Sequence, residues 1–174
     1  LGLRYGDGPR QLMDIFGPME GPTAMFLHGG YWQAMDRGYF SHLAGGLLAH
    51  GLTVAVPSYD LCPDVTLARI VEEAREAAAF LHLRTRQPIL AMGHSAGGHL
   101  AACLLATDWA AYGLPEKVVP AALSLSGLFD LMPLRKVKEG TALRLDAAEA
   151  ARLSPVSWPR PAGRIHALVG AVEG

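Results

Sequence analysis

The amino-acid sequence predicts an α/β fold, in which a mostly parallel β-sheet carries helices on both of its faces. Short apolar segments alternate with longer segments of helical periodicity along the chain, and this alternation is typical of βαβ units. The length of 174 residues suits one domain of ordinary size. Because 51% of the residues are hydrophobic and 18% are charged, the chain can bury a core.

The predicted strands are short and apolar, as expected for strands that are buried on both faces of a sheet. The first two cover residues 11–16 and 23–27 and are separated by a segment rich in Gly and Pro. We predict that these two strands form an antiparallel pair at one edge of the sheet. Further strands are predicted over residues 52–56, 89–92, 118–125 and 165–169.

Helices are predicted where apolar residues recur at three- and four-residue steps. The clearest helix covers residues 65–84, and Asp64 is the predicted cap of its N-terminus. Other helices are predicted over residues 39–50, 97–107 and 142–153. Only five residues follow the last predicted strand, so we expect a domain that is truncated at its C-terminal end and lacks the helix that would cover this strand.

The charge balance and the cysteine content exclude several classes of protein. Lys and Arg total 15 and Asp and Glu total 16, so the basic surface of a nucleic-acid-binding protein is not expected. No apolar run reaches the roughly 18 residues of a membrane span, and no signal-peptide pattern is found. Cys62 and Cys103 stand outside any Cys/His cluster, so neither a zinc site nor a disulfide is expected. We expect reduced thiols in a cytoplasmic protein.

The first motif with direct chemical meaning is Gly-His-Ser-Ala-Gly at residues 93–97, which matches G-x-S-x-G. It follows a predicted strand and precedes a predicted helix, and glycines allow the sharp turn that presents a serine at the edge of a sheet. The start of a helix also favours developing negative charge. Ser95 is therefore the predicted nucleophile, and a glycine-rich helix start without chemistry is the alternative.

The second motif is His-Gly-Gly-Tyr-Trp at residues 28–32, directly after the predicted strand 23–27. Two adjacent glycines allow main-chain N–H groups to point into a cleft, where they can hold the oxyanion of a tetrahedral intermediate. The predicted oxyanion hole consists of the N–H groups of Gly30, Tyr31 and Ala96, the last being the residue after the nucleophile.

Two side chains of the second motif have more than one interpretation. His28 is expected to brace its loop through backbone hydrogen bonds instead of acting as the catalytic base. Trp32 is predicted to line the substrate pocket, and packing in the core is the alternative.

The two motifs together resemble those of the α/β-hydrolase superfamily, in particular its branch of hormone-sensitive-lipase-like and kynurenine formamidase-like proteins. The formamidase members are favoured by further similar segments, which are residues 93–101, 126–131, 143–146 and 154–155. The resemblance implies that residues 1–174 form a single α/β-hydrolase domain. It also implies a serine hydrolase that needs neither a cofactor nor a metal ion.

The catalytic triad is incomplete in this sequence. Its chemistry needs a base for the Ser95 proton and a carboxylate that orients the base. The resemblance places the acid at Glu173 and the histidine beyond the last residue of this sequence, and Asp130 is a second candidate acid that better suits capping a loop. His166 is expected to pack into the sheet and His99 to be buried, so neither is expected to be the base.

These observations predict a hydrolase that cleaves a small acyl amide or ester through an acyl-enzyme. The resemblance implies an N-formyl arylamine substrate such as N-formylkynurenine, with kynurenine and formate as products. A short-chain carboxylesterase and a catalytically silent binding protein of the same fold are the alternatives. The expected partner is a small acyl compound, without nucleic acid or membrane, and a homodimer is left open.

Overall fold

A parallel sheet dominates the computed structural model, which describes residues 1–171. The strands are β1 (Leu3–Arg4), β2 (Leu12–Phe16), β3 (Thr23–Leu27), β4 (Thr53–Pro57), β5 (Ile89–His94), β6 (Ala121–Leu125) and β7 (Arg164–Leu168). Within the described residues they form one sheet in the order β1-β2-β4-β3-β5-β6-β7. Strands β4, β3, β5, β6 and β7 are parallel, whereas β1 and β2 are antiparallel to their neighbours. The predicted fold class is confirmed.

Helices cover both faces of this sheet. The α-helices are α1 (Ala44–Leu48), α2 (Leu67–Thr85), α3 (Ala96–Leu105) and α4 (Ala147–Arg152). Successive side chains of a strand point to opposite faces. Val54 and Val56 accordingly pack with α1, while Ala55 packs in the larger core that includes residues of α2 and α3. Between residues 1 and 171, none of the helices is long and apolar enough to cross a membrane.

The predicted antiparallel pairing of the first two long strands is wrong. Strand β2 pairs antiparallel with β4, and β4 lies between β2 and β3. Strand β3 instead pairs in parallel with β4 and β5. All five residues of β3 are buried, so this strand needs a neighbour on each side, which a two-stranded edge pair cannot supply.

The start of the longest helix also differs from its prediction. Helix α2 begins at Leu67, and the Thr66 hydroxyl caps it by accepting a hydrogen bond from the Arg69 N–H at 3.2 Å. The predicted cap, Asp64, lies two residues too early. Thr and Asp side chains both cap helices well, so residue type alone did not distinguish the two positions.

Three other predicted elements differ in type or in length from the prediction. The predicted helix 39–50 is a 3₁₀ helix, Arg37–Leu43, that continues into α1. Residues 142–153 contain the end of another 3₁₀ helix, Lys138–Leu143, and then α4. Strand β6 starts at Ala121, directly after Pro120, which has no N–H to donate to a neighbouring strand.

Strand β7 lies at the edge of the sheet, next to β6, and all five of its residues are exposed. The prediction that His166 packs into the sheet is therefore wrong, because this side chain is exposed. Alternation of residue types predicts which way a side chain points, but it does not show whether another element covers that face. Within residues 1–171, α3 contacts β7 but leaves all five of its residues exposed.

Candidate active site

Ser95 lies on a one-residue turn between β5 and α3, and its backbone is strained. Its φ of 53° and ψ of −117° lie outside the regions that residues with a side chain readily adopt. The Ser95 N–H donates a 2.8 Å hydrogen bond to the Leu125 carbonyl, which fixes the turn to the end of β6. The side chain is half-buried and forms no capping hydrogen bond with α3, so its hydroxyl is accessible for chemistry.

The glycines beside Ser95 are required by close backbone contacts. A Cβ atom at Gly93 would lie 2.1 Å from the Gly97 carbonyl oxygen. A Cβ atom at Gly97 would lie 1.9 Å from the Leu27 carbonyl oxygen, at the end of β3. Only glycine fits either position, and the first turn of α3 therefore lies directly against β3.

The second motif lies beside Ser95, because β3 and β5 are adjacent parallel strands with Leu27 opposite Gly93. The residues after each strand consequently leave the sheet at the same edge. A Cβ atom at Gly29 would lie 3.0 Å from the His94 carbonyl oxygen and 3.5 Å from the Ser95 Cβ. The structure thus brings together the two motifs that the sequence predicts to cooperate.

Residues 28–32, which we call the oxyanion loop after the role that the sequence predicts for them, have an unusual backbone conformation. Gly30, Tyr31 and Trp32 have φ values of 105°, 50° and 57°, in the left-handed region. Among residues 1–171, the N–H groups of Gly30 and Tyr31 find no hydrogen-bond acceptor. The Ala96 N–H is in the first turn of α3, where a helix provides no acceptor of its own. These three donors are therefore free to bind a ligand.

His28 braces this loop, as predicted. Its imidazole is fully buried, its Nδ1 lies 2.8 Å from the Gly29 carbonyl oxygen, and its ring stacks on Tyr59 at 4.1 Å. Burial lowers the pKa of His28 to about 4, so the ring is neutral at pH 7. The Nδ1–H thus donates a hydrogen bond to a main-chain oxygen, and this contact is consistent with a structural role for His28.

His99 and Trp32 pack against each other in the core. His99 Nε2 lies 2.8 Å from the Leu153 carbonyl oxygen, and burial lowers the pKa of His99 to about 4. The edge-on contact between the two rings, 5.1 Å between centroids, leaves Trp32 with no exposed surface. His99 is buried as predicted. The burial of Trp32 agrees with its alternative interpretation, core packing, and its predicted place in the substrate pocket stays a prediction.

Both buried histidines should make the protein sensitive to acid. Their folded-state pKa values of about 4 lie below the ordinary value of 6.5, so the stability that depends on neutral rings is complete above pH 6.5 and is lost as the pH falls towards 4. We expect the free energy of unfolding to fall by about 3 kcal/mol per histidine across this range. Urea unfolding at about pH 7.5 and about pH 5 samples the first part of this range, where the loss is about 2 kcal/mol per histidine, and it is read as the difference between wild type and a variant that lacks the ring.

A variant isolates the contribution of one ring. His99→Gln keeps a donor for the Leu153 carbonyl but does not titrate, so it should lose less stability in acid than the wild type. His50→Gln, at an exposed position, is the control for exchanging a histidine. Equal acid losses in His99→Gln and wild type would contradict the prediction.

Of the two candidate acids of the triad, the structure describes only Asp130. Glu173 lies outside the described residues, so its assignment as the triad acid stays a prediction. Asp130 is exposed, and its Oδ1 accepts a 2.9 Å hydrogen bond from the Met132 N–H. This contact is the loop-capping role expected for Asp130.

One residue at this site, Tyr59, belongs to neither motif and was not predicted from the sequence. Tyr59 is the second residue after β4, and its hydroxyl donates a 2.7 Å hydrogen bond to the His28 carbonyl oxygen. The only local signal is its position after the carboxyl end of a buried strand, where sites of parallel sheets form. Such a position is shared by every residue that follows a parallel strand, so it did not single out Tyr59.

The fold and this serine turn are the features that define a class of hydrolases, and comparison with known families agrees. The family described as having the alpha/beta hydrolase fold matches residues 24–158. The chain therefore belongs to the α/β-hydrolase family.

Individual relatives are also similar to this chain. Kynurenine formamidase of Drosophila melanogaster is 34% identical over 167 residues, which are 90% of this chain and 55% of that protein. A crystal structure of a provisionally named thioesterase from Silicibacter sp. TM1040 is 37% identical, with a TM-score of 0.87 over 99% of this chain and 66% of that one. The chain spans about half the length of the curated formamidases it matches.

A more distant structure shows the fold alone. Esterase B from Lactobacillus rhamnosis is 21% identical, with a TM-score of 0.77 over 95% of this chain and 63% of that one.

Proposed function

We propose that this protein is a serine hydrolase whose nucleophile is Ser95. The observation that carries the proposal is the contact between the strained serine turn and the oxyanion loop, whose N–H groups are free. Ser95 Oγ attacks the carbonyl carbon of an ester or amide, and the N–H groups of Gly30, Tyr31 and Ala96 stabilise the resulting oxyanion.

The proton balance of this reaction requires a base. The base removes the Ser95 proton during the attack and returns it to the departing amine or alcohol. Water then attacks the acyl-enzyme and releases the acid product. In the proposal, a histidine beyond residue 174 is this base and Glu173 orients it, because the resemblance assigns both positions.

We further propose that the substrate is an N-formyl arylamine, such as N-formylkynurenine. Support comes from the 34% identity to a kynurenine formamidase across nearly the whole of this chain. Attack on the formyl carbon would release the arylamine, and hydrolysis of the formyl-enzyme would release formate. Cytoplasmic location is part of the same proposal.

A short-chain ester is the second candidate substrate. It is supported by the 37% identity to a protein provisionally named as a thioesterase, because a thioester, like an ester, is hydrolysed by attack on an acyl carbonyl carbon. Esters and formamides need the same serine and oxyanion donors, so the core of the site favours neither. The pocket that holds the leaving group decides between them.

Parallel assays on N-formylkynurenine and p-nitrophenyl acetate separate the two substrates. For the protein expressed from its complete gene, we expect a higher kcat/KM on the formamide. Activity on the ester alone would remove the formamidase assignment. No activity on either, together with no labelling by a fluorophosphonate, would favour the catalytically silent binding protein.

A further inference from the structure

We propose that Tyr59 is a positioning residue that holds the oxyanion loop in the conformation needed for catalysis. The proposal rests on the proposed function, since it assumes that this loop stabilises an oxyanion. It concerns a residue that contacts neither Ser95 nor a substrate and acts through main-chain atoms of the loop.

The loop needs support because its conformation is unfavourable by itself. Tyr31 and Trp32 are consecutive residues with side chains, and both have left-handed φ values. Such residues keep this conformation only where surrounding contacts determine it. A relaxed loop would turn the peptide groups on either side of these residues, and with them the N–H donors.

Tyr59 contacts the start of the loop in two ways. Its hydroxyl donates a 2.7 Å hydrogen bond to the His28 carbonyl oxygen, and its ring stacks on the His28 ring with an angle of 8° between planes. The His28 carbonyl belongs to the peptide group that leads into Gly29, so this bond fixes the plane from which the glycines turn. Burial raises the pKa of the Tyr59 hydroxyl well above its ordinary value, so the hydroxyl keeps the proton that it donates.

The segment that contains Tyr59 also contacts the other end of the loop. We call residues 58–62 the brace segment. The Cys62 N–H donates a 2.8 Å hydrogen bond to the Trp32 carbonyl oxygen. The loop is therefore held at its first and its last carbonyl by a single stretch of chain, and the strained residues lie between these two bonds.

The brace segment is in turn fixed by the rest of the protein. Glu73, buried in α2, accepts a 2.7 Å hydrogen bond from the Asp60 N–H. The Arg10 Nε donates to the Tyr59 carbonyl oxygen at 3.1 Å. Because the brace segment is bonded to α2 and to Arg10, Tyr59 holds the oxyanion loop in a fixed position. A tyrosine on the surface would constrain the loop much less.

The variant Tyr59→Phe removes the hydroxyl but keeps the ring that stacks on His28. With p-nitrophenyl acetate we expect kcat to fall about tenfold, less than the roughly 100-fold that a 1 Å misplacement of catalytic groups costs. KM should change by less than about twofold, because the oxyanion forms after binding. The control is Tyr112→Phe, which removes a hydroxyl bonded to Glu72 on the surface and should leave kcat unchanged.

Hydrogen exchange tests the proposal independently of turnover. The amides of Gln33 and Ala34 donate to the Gly30 carbonyl oxygen and the amide of Cys62 donates to the Trp32 carbonyl oxygen, so their exchange reports on the loop. They should exchange at least about fivefold faster in Tyr59→Phe than in wild type, and at the wild-type rate in Tyr112→Phe. Unchanged kcat in an active enzyme, or a raised KM with normal kcat, would overturn the positioning role. An inactive wild type would instead refute the proposed function, and the exchange rates would then decide whether Tyr59 holds the loop.

Discussion

Replacing Ser95 by alanine is expected to lower kcat/KM by on the order of a million-fold, the loss typical of a missing serine nucleophile. The variant keeps the oxyanion loop and the fold but has no oxygen that can attack the carbonyl carbon. Ala and Ser both have a Cβ atom, so the substitution does not change the backbone strain at this position. The loss should therefore lie in chemistry, with substrate binding preserved.

Labelling with a fluorophosphonate measures this effect directly. The probe forms a covalent bond with an activated serine, so wild type should be labelled and Ser95→Ala should not. Ser157→Ala, at an exposed position in the short 3₁₀ helix Pro155–Ser157 after α4, is the control and should be labelled fully. Labelling that persists in Ser95→Ala would place the nucleophile at another residue.

The serine turn was predictable because its determinants are close together in the sequence. Two glycines, a short apolar strand and a helix start all occur within a few residues of Ser95. Each glycine is required by a close contact inside or next to the turn. At Gly93, for example, a Cβ atom would clash with the Gly97 carbonyl oxygen. Local sequence patterns are informative where local contacts determine the structure.

The order of the strands was less predictable because it depends on residues far apart in the chain. Strand β4 lies between β2 and β3, although 36 residues separate it from β2 and 25 from β3 along the chain. The turn-rich segment after β2 is as compatible with a hairpin as with this longer path. The continuous apolar run at residues 24–27 was the one sign in the sequence that β3 needed a neighbour on each side.

Contacts between distant parts of the chain also explain which features of the site were not predicted from the sequence. The sequence placed the glycines of the oxyanion loop, but the inward direction of the Trp32 ring depends on its contact with His99, which lies on α3. Tyr59 reaches the loop from a third part of the chain. Catalytic groups are recognisable from motifs, whereas the residues that support them are defined by packing.

Replacing Gly97 by alanine is the stability change with the largest expected effect. The new Cβ would lie 1.9 Å from the Leu27 carbonyl oxygen and 2.7 Å from the His28 carbonyl oxygen. Both are main-chain atoms, so no side chain can rotate away, and α3 must separate from β3. We expect a loss of about 4 kcal/mol or more in the free energy of unfolding, which is exceptional for adding one methyl group.

The matched control is Gly46→Ala in α1, where a Cβ would meet nothing within 4 Å. In a helix interior, alanine is favoured over glycine by about 0.5–1 kcal/mol, so this variant should be more stable than wild type. Urea unfolding of the three proteins measures both effects. A stable Gly97→Ala protein would show that α3 does not lie against β3 as described. Because the clash also involves His28, any folded fraction should have a displaced oxyanion loop and react more slowly with the fluorophosphonate.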